Sequence, residues 1–384
     1  MKKWPKVALG EIAPIVRRPI EIELAESYPE LGIRSFGKGT FHKPAVSGAD
    51  VGSKRLFQIE PGDLVFSNVF AWEGAIAVAG PDDSGRFGSH RFITCVVDSE
   101  RANATFLKFY LTASREGRAQ VLQASPGGAG RNRTLGVEKL GRILVRLPSL
   151  TEQEAIVARL DALETRVRQV AEHLDAAERE GQRLLAQRFE EIIRQAPMMA
   201  MQDVAPLVRR EQTIELDQTY PELGIRSFGK GTFHKAAIAG SALGTKRLFR
   251  IEPGDLLFSN VFAWEGGIAV AAQEDTGRFG SHRFISCVPL DDQVSAEFLL
   301  YYFLSNDGMH KIGEASPGGA GRNRTLGLEK LMSIEVPVPS KNRQSAFNRL
   351  QAKTSALKDK HSAIRAANAA LIPATLERIF ADVD

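Results

Sequence analysis

A glycine-rich stretch that ends in arginine, asparagine and arginine occurs twice in this 384-residue chain. SPGGAGRNR closes on Arg131, Asn132 and Arg133, and again on Arg322, Asn323 and Arg324. Glycine lets the backbone come close to a ligand. Guanidinium and carboxamide groups then supply donors that fit phosphate oxygens and the edges of bases. A nucleotide loop fits poorly, because the Lys-Ser/Thr pair of a P-loop is missing and the glycines do not follow G-x-G-x-x-G. A second stretch, RSFGKGTFHK, mixes Arg34, Lys38, His42 and Lys43 with Phe36 and Phe41, and recurs with Arg226, Lys230, His234 and Lys235. It reads as a loop. Basic residues interleaved with aromatics suit the edge of a nucleic acid, and the two phenylalanines equally suit a core. A third stretch, Ser89-His90-Arg91, is a polar turn before an apolar run, repeated as Ser281, His282 and Arg283, and is a candidate for reading bases. In SNVFAWEG, Phe70 is read as packing, and Trp72 suits either packing or the same surface.

None of these residues forms a catalytic set. His42 and His90 have no nearby cysteine and no compact His/Asp/Glu spacing, so a metal site is not expected. G-x-S-x-G and H-E-x-x-H are absent, as are the Asn/Asp-Pro-Pro-aromatic motif of amino-methyltransferases and a loop for S-adenosylmethionine. The chain reads as a binding and positioning protein rather than an enzyme.

What must position these residues is a duplicated domain. Residues 15–148 and 207–339 are two copies of one sequence, YPELGIRSFGKGTFHK at 28–43 returning at 220–235 and GRFGSHRFITCV at 85–96 returning as GRFGSHRFISCV at 277–288. A period this long marks a repeated domain and not a solenoid. Each copy reads as α+β, with strand-like runs at 64–69, 74–79 and 91–97, a helix over 104–123 and a strand at 142–149. Both copies keep the same basic residues while their acidic residues differ more. Residues 1–150 carry a net charge of +6 and residues 197–339 a net −3, so a basic set held in an acidic domain points to an anionic ligand.

Between the copies, residues 151–196 contain no proline, and Ile156, Leu160, Leu163, Val167, Val170, Leu174, Ala177 and Leu184 recur in steps of four and three with Gly181 in one seam position. This is a heptad seam, and at ~1.5 Å per residue it makes a rod of roughly 65 Å. After the second copy, Phe347, Leu350, Leu357, Ile364 and Leu371 keep a heptad register over about 341–371, with Thr354, His361 and Asn368 at the alternate seam positions. The two helical segments have opposite net charge, which favours pairing them. The expected architecture is α+β with two homologous domains separated by a long antiparallel two-helix coiled coil, pseudo-two-fold symmetric. The alternative is that each helix packs on its own domain. The expected boundaries are 1–150, 151–196, 197–339 and 340–384.

Composition is that of an ordinary soluble globular protein. No apolar run reaches the ~18 residues of a membrane span, and no signal peptide is read at the N-terminus. Cys95 and Cys287 occupy equivalent places in strand-like runs, so two core thiols are expected instead of a disulfide, and a cytoplasmic location with them.

With the repeat and the helices in view, the whole sequence resembles the specificity (S) subunit of type I restriction-modification systems. The resemblance rests on the entry segment WPKVALGEIAP, the strand PGDLVFSN and the exit RLPSLTEQEAIVARLDAL, where Pro148, Leu150, Glu152, Gln153, Ile156 and Leu160 fit the family pattern. The second exit, VPSKNRQSAFNRL, keeps Gln344 and Leu350 but lacks the glutamate. The resemblance implies two target-recognition domains, each reading half of a bipartite site in double-stranded DNA. It also implies two modification subunits that methylate adenine N6 and restriction subunits that form an ATP-dependent translocase-nuclease. S-adenosylmethionine and ATP belong to those partners, and no cofactor is expected on this chain. The helices set the spacing between half-sites and carry the modification subunits, through Glu152, Gln153, Ile156, Leu160 and Leu163 after the first domain and Gln344, Phe347 and Leu350 after the second. Two nearly identical domains related by an approximate two-fold axis are expected to read an interrupted palindrome or a sequence close to one. Readings left open are a specificity subunit of a methylation-only or other phage-defence complex, and a protein scaffold with no DNA role.

Overall fold

The computed structural model describes residues 4–52, 54–128, 133–318 and 324–381. Arg131 and Asn132 of the first glycine-rich loop, and Arg322 and Asn323 of the second, lie outside the described residues. The chain divides into two compact units, Met1–Leu174 with His361–Asp384, and Asp175–Lys360. Each is α+β and takes in part of both long helices.

In the first unit, side-chain alternation along Leu64–Ser67 sets the layers. Leu64 and Phe66 enter a core beneath two helices, Ala104–Ala113 and Arg115–Ala124, while Val65 enters a second core with Leu31, Ile59 and Ala77. Ile93 and Phe92 divide in the same way. A strand buried on both faces is therefore apolar at successive positions. The sheet runs Ile15–Val16, Phe92–Cys95, Leu64–Ser67, Ile76–Val78, all antiparallel. A second sheet, ordered Thr40–Ser47, Ser27–Ile33, Phe87–Ser89, Leu56–Gln58, covers the other core. Its outer hairpin contains most of the stretch expected to be a loop: only 34–39 turns, and His42 and Lys43 lie on the strand Thr40–Ser47. Gly32 is required there because a Cβ would lie 2.2 Å from the Phe41 ring that crosses it.

The helix expected over 104–123 is two helices. Ser114 adopts an extended conformation between them, and its hydroxyl caps the second by accepting the Gly117 N–H at 2.8 Å. The N-terminal strand Lys6–Ala8 pairs with Leu144–Arg146, so the unit closes just before the long helix Leu150–Ile193 begins. The second unit repeats this plan with one addition. Glu211–Gln212 forms a short strand on Leu248–Arg250, whereas Pro19 at the equivalent place makes a single bridge to Phe57. Proline has no N–H to extend the ladder.

The second long helix runs Lys341–Ala381, ten residues beyond its expected end and through Pro373. A proline there forgoes a backbone hydrogen bond at a cost of about 3 kcal/mol. The helix continues because Leu376 and Phe380 are buried in the first unit's core, Phe380 edge-on to Trp4 and Tyr110. Leu160 joins the same core. In the second unit Phe189 meets Phe347 at 5.4 Å between ring centroids, and a Cβ on Gly181 would lie 3.4 Å from Thr354. Later residues of one helix thus meet earlier residues of the other, the antiparallel sense. The seam departs from expectation on both helices. On the first, Ala177 and Leu184 are exposed, and Glu178 and Leu185 turn inward instead. On the second helix the inward positions are those of Thr354, His361 and Asn368, while Leu357, Ile364 and Leu371 are 45%, 41% and 42% exposed.

Among the described residues no helix is long and apolar enough to cross a membrane. Cys95 and Cys287 are free and buried, and burial pushes both thiols up to about 12. Neither should react with Ellman's reagent at neutral pH until the chain is unfolded, when both should titrate. The first turn of each long helix holds a second buried polar group. Gln153 Oε1 accepts the Asn103 N–H at 2.8 Å, and its Nε2 donates to the carbonyls of Arg101 and Pro148 at 3.1 and 2.9 Å. Gln153→Leu should destabilise by about 3 kcal/mol, since each buried group left unpaired costs roughly 1–3 kcal/mol. Denaturant unfolding against the exposed control Glu154→Ala measures this.

Candidate nucleic-acid interface

One segment, Ser67–Gly74, organises the candidate residues. It leaves the doubly buried strand Leu64–Ser67 and turns through the short 3-10 helix Ala71–Glu73. At its start the Asn68 N–H donates to the Arg91 carbonyl at 2.7 Å, which fixes the His90-Arg91 turn, and the Asn68 carbonyl accepts the Leu135 N–H at 2.8 Å, which fixes the exit of the glycine-rich loop. At its end the carbonyls of Glu73 and Gly74 accept the N–H groups of Phe36 and Gly37, each at 2.8 Å, and fix the hairpin tip. The Ser35 hydroxyl also donates to Glu73 at 3.2 Å. Gly74 has φ 78°, and a Cβ there would lie 3.3 Å from the Phe36 Cα, so a larger residue would push the hairpin away. The second unit repeats the set through Asn260, Glu265 and Gly266. Three stretches far apart in sequence are thereby tied to one turn.

Arg34, Lys38, His90 and Arg91 are exposed, as are Arg226, Lys230, His282 and Arg283. Ser89 and Ser281 are half-buried, and their hydroxyls accept the Arg91 and Arg283 N–H groups at 3.4 and 3.3 Å. Arg34 donates to the Thr40 carbonyl and lies over the Phe41 ring, and Arg226 does the same with Thr232 and Phe233. Arg133 sits 6.0 Å from the Trp72 ring and Arg324 sits 5.4 Å from Trp264. Among the described residues no carboxylate pairs with Arg91, Arg133, Arg283 or Arg324, so their charge is available to an anion.

His42 and Lys43 stand apart from this cluster, on the edge strand. His42 Nε2 lies 3.0 Å from Asp83, a buried carboxylate that also accepts the Thr40 hydroxyl and the Gly80 N–H, both at 2.9 Å. His234 and Asp275 repeat the pair at 2.9 Å. Lys43 reaches Glu30 at 4.0 Å, whereas Lys235 lies over the Phe233 ring. Phe70 differs from its sequence reading, being 39% exposed rather than packed, and of the two readings left open for Phe36 the core one fails, since it is 75% exposed.

On the helices, Gln153 and Gln344 are fully buried and bond within their own units, and Leu160 and Phe347 belong to the cores. Ile156, Leu163 and Leu350 are half-buried, as is Glu152. The exposed apolar face is the heptad Leu357, Ile364 and Leu371. Two interleaved heptads three residues apart look alike in sequence, and only the packing shows which one turns inward.

Arg133→Ala with Arg324→Ala should lower affinity for a cognate duplex by tenfold or more if each arginine makes a bidentate base contact, worth ~1–3 kcal/mol. If the pair contacts phosphates alone, the salt dependence of binding should fall with no change in sequence preference. Titration at several salt concentrations separates these outcomes.

No family model matches the sequence, and no curated protein matches it. Among solved structures, the HsdS subunit from Thermoanaerobacter tengcongensis aligns at 19% identity and a TM-score of 0.66, over 100% of this chain and 98% of that one. A chain from a structure of complex assembly and conformational transition in the type I R-M system aligns at 20% identity and a TM-score of 0.65, over 99% of this chain and 98% of that one. Matched end to end in both directions, the chain has the fold of the HsdS specificity subunits of type I restriction-modification systems.

Proposed function

We propose that this chain is the DNA-specificity subunit of a type I restriction-modification complex. The observation that carries the reading is the loop cluster on Ser67–Gly74, built a second time on Ser259–Gly266, in a chain that matches the HsdS fold along its whole length. Each unit binds half of a bipartite duplex target through the exposed arginines and lysines of its cluster, with His42, Lys43, His234 and Lys235 on the neighbouring strands. Arg131, Asn132, Arg322 and Asn323 supply further donors for the same ligand. The chain performs no chemistry. Modification subunits bring S-adenosylmethionine and methylate adenine, restriction subunits bring ATP-driven cleavage, and the complex works in the cytoplasm.

The two clusters present the same residues and so read the same half-site. The repetition of the same candidate residues in both copies supports a target that is an interrupted palindrome or close to one. Single-molecule sequencing of host DNA with and without the gene, scored for N6-methyladenine, tests both statements. Loss of a bipartite palindromic motif supports them. Loss of an asymmetric motif keeps the role and refutes the symmetry, and an unchanged methylome together with no selective binding by the purified complex refutes the role.

The exposed heptad of Leu357, Ile364 and Leu371 suits a helix from a modification subunit. Leu357→Glu with Ile364→Glu should reduce co-purification of that subunit by about tenfold or more, while circular dichroism and the melting transition of the chain stay unchanged.

A further inference from the structure

Phe36 and Phe228 are the only non-glycine residues with positive φ among the described residues, at 63° and 61°. A bulky side chain in the left-handed region carries a steric penalty that glycine escapes. The same hairpin places Gly37 and Gly39 at φ 66° and 79°, so glycine at position 36 would fit the turn without strain. Burial does not offset the penalty, because the rings are 75% and 74% exposed. Nor are the tips merely unaltered surroundings. The helix residue facing Gly37 is Thr112, while Leu304 faces Gly229, yet both tips keep the phenylalanine. Strain held in place by surrounding hydrogen bonds, at an exposed group, points to a ligand for that group.

The neighbours indicate which ligand. Arg34 is two residues before the ring, and the Lys38 ammonium lies 5.9 Å from its centroid, matched by Lys230 at 5.8 Å from Phe228. The backbone on both sides is tied to the turn that carries Trp72, over which Arg133 lies. An exposed apolar plate beside a lysine, with Arg34 on the same hairpin over Phe41, suits a polyanion with an apolar interior, which is the base stack of a duplex. We propose that Phe36 and Phe228 are wedges that enter the DNA base stack, one in each half of the target, and unstack a base step there. The proposal rests on the DNA-binding reading above and adds to it a deformation of the target. Arg34 and Lys38 hold the phosphates beside the opened step. The fixed φ aims the ring, so little ordering remains to be done when DNA binds.

The test uses the assembled complex on duplexes carrying its selected site, with 2-aminopurine or pyrrolocytosine placed at successive positions and end-labels that report bending. The wild-type complex should brighten one step in each half several-fold and shorten the end-to-end distance. Phe36→Gly with Phe228→Gly should abolish both signals, retain subunit assembly and melt at the same or a higher temperature. Phe36→Trp with Phe228→Trp should retain both signals. Equal signals from the glycine variant and the wild type would overturn the proposal, as would bound wild-type complex that brightens no position. Loss of subunit assembly in the glycine variant would instead assign the rings to a protein interface. A wild-type complex that binds no duplex selectively would sink the DNA reading and the wedge with it, whereas selective binding without unstacking sinks the wedge alone.

Discussion

A buried carboxamide joins each domain to its helix. Gln153 offers one acceptor and two donors and meets one N–H and two carbonyls, those of Asn103, Arg101 and Pro148. A neutral group can do this inside a core where a charge would cost several kcal/mol. Asn103 in turn caps the helix Ala104–Ala113 by accepting the Phe106 N–H at 3.1 Å. The first turn of the long helix and the first turn of the domain helix are therefore set by the same residue. Gln344 repeats the arrangement with Ser295 in place of Asn103. The cap has changed between copies and the glutamine has not, as expected where the cap tolerates several polar residues and the glutamine position needs both donors and an acceptor.

From that joint to the candidate interface, every step is packed structure. The helix Ala104–Ala113 puts Phe106, Leu107 and Tyr110 into the core that receives Leu64 and Phe66. The strand that carries Leu64 and Phe66 continues into Ser67–Gly74, and the hairpin tip, the His90-Arg91 turn and the exit of the glycine-rich loop all hydrogen-bond to that segment. Contacts held on a rigid element lose less entropy on binding than contacts on free loops. The strained φ at Phe36 fits the same pattern, since the Phe36 and Gly37 N–H groups are both engaged by the turn.

The sequence was most informative where one physical signal dominated. Identity between the copies announced the duplication, and absence of proline with a three-four apolar step announced the helix Leu150–Ile193. It was least informative where two solutions share a pattern. RSFGKGTFHK looks like a loop because glycines flank its lysine, but Phe41 lying across Gly32 makes its second half a strand. The run 104–123 has helical composition throughout, and only the close approach of Gly117 to the Tyr110 carbonyl, with Ser114 as cap, makes it two helices. Pro373 reads as a stop, yet the apolar residues after it have a core to enter. Exposure of Phe36 was invisible for a different reason. Apolar residues in a turn usually return to a core, and nothing in the sequence reports the hydrogen bonds that hold this one out.

The differences between the copies bear on what symmetry means for this molecule. Many fall on the paired domain helices, where Asn103 becomes Ser295 and Thr112 becomes Leu304, and others fall on the second sheet. Pro19 is replaced by Glu211, which adds a strand pair and an ion pair to Arg247. Gln58 is replaced by Arg250, which pairs with Glu252 at 2.8 Å. Lys43 leans towards Glu30, while Lys235 lies on Phe233. The turn Ser67–Gly74 differs from its counterpart only at Ala75, just beyond it, which becomes Gly267, and the three stretches tied to it keep every candidate residue. Base identity is read by short, directional contacts, and backbone attraction by charge that tolerates displacement. The divergence on the helices and the sheet edge leaves every candidate residue in place, so it alters the packing and charge around the candidate interface and not the groups able to make directional contacts.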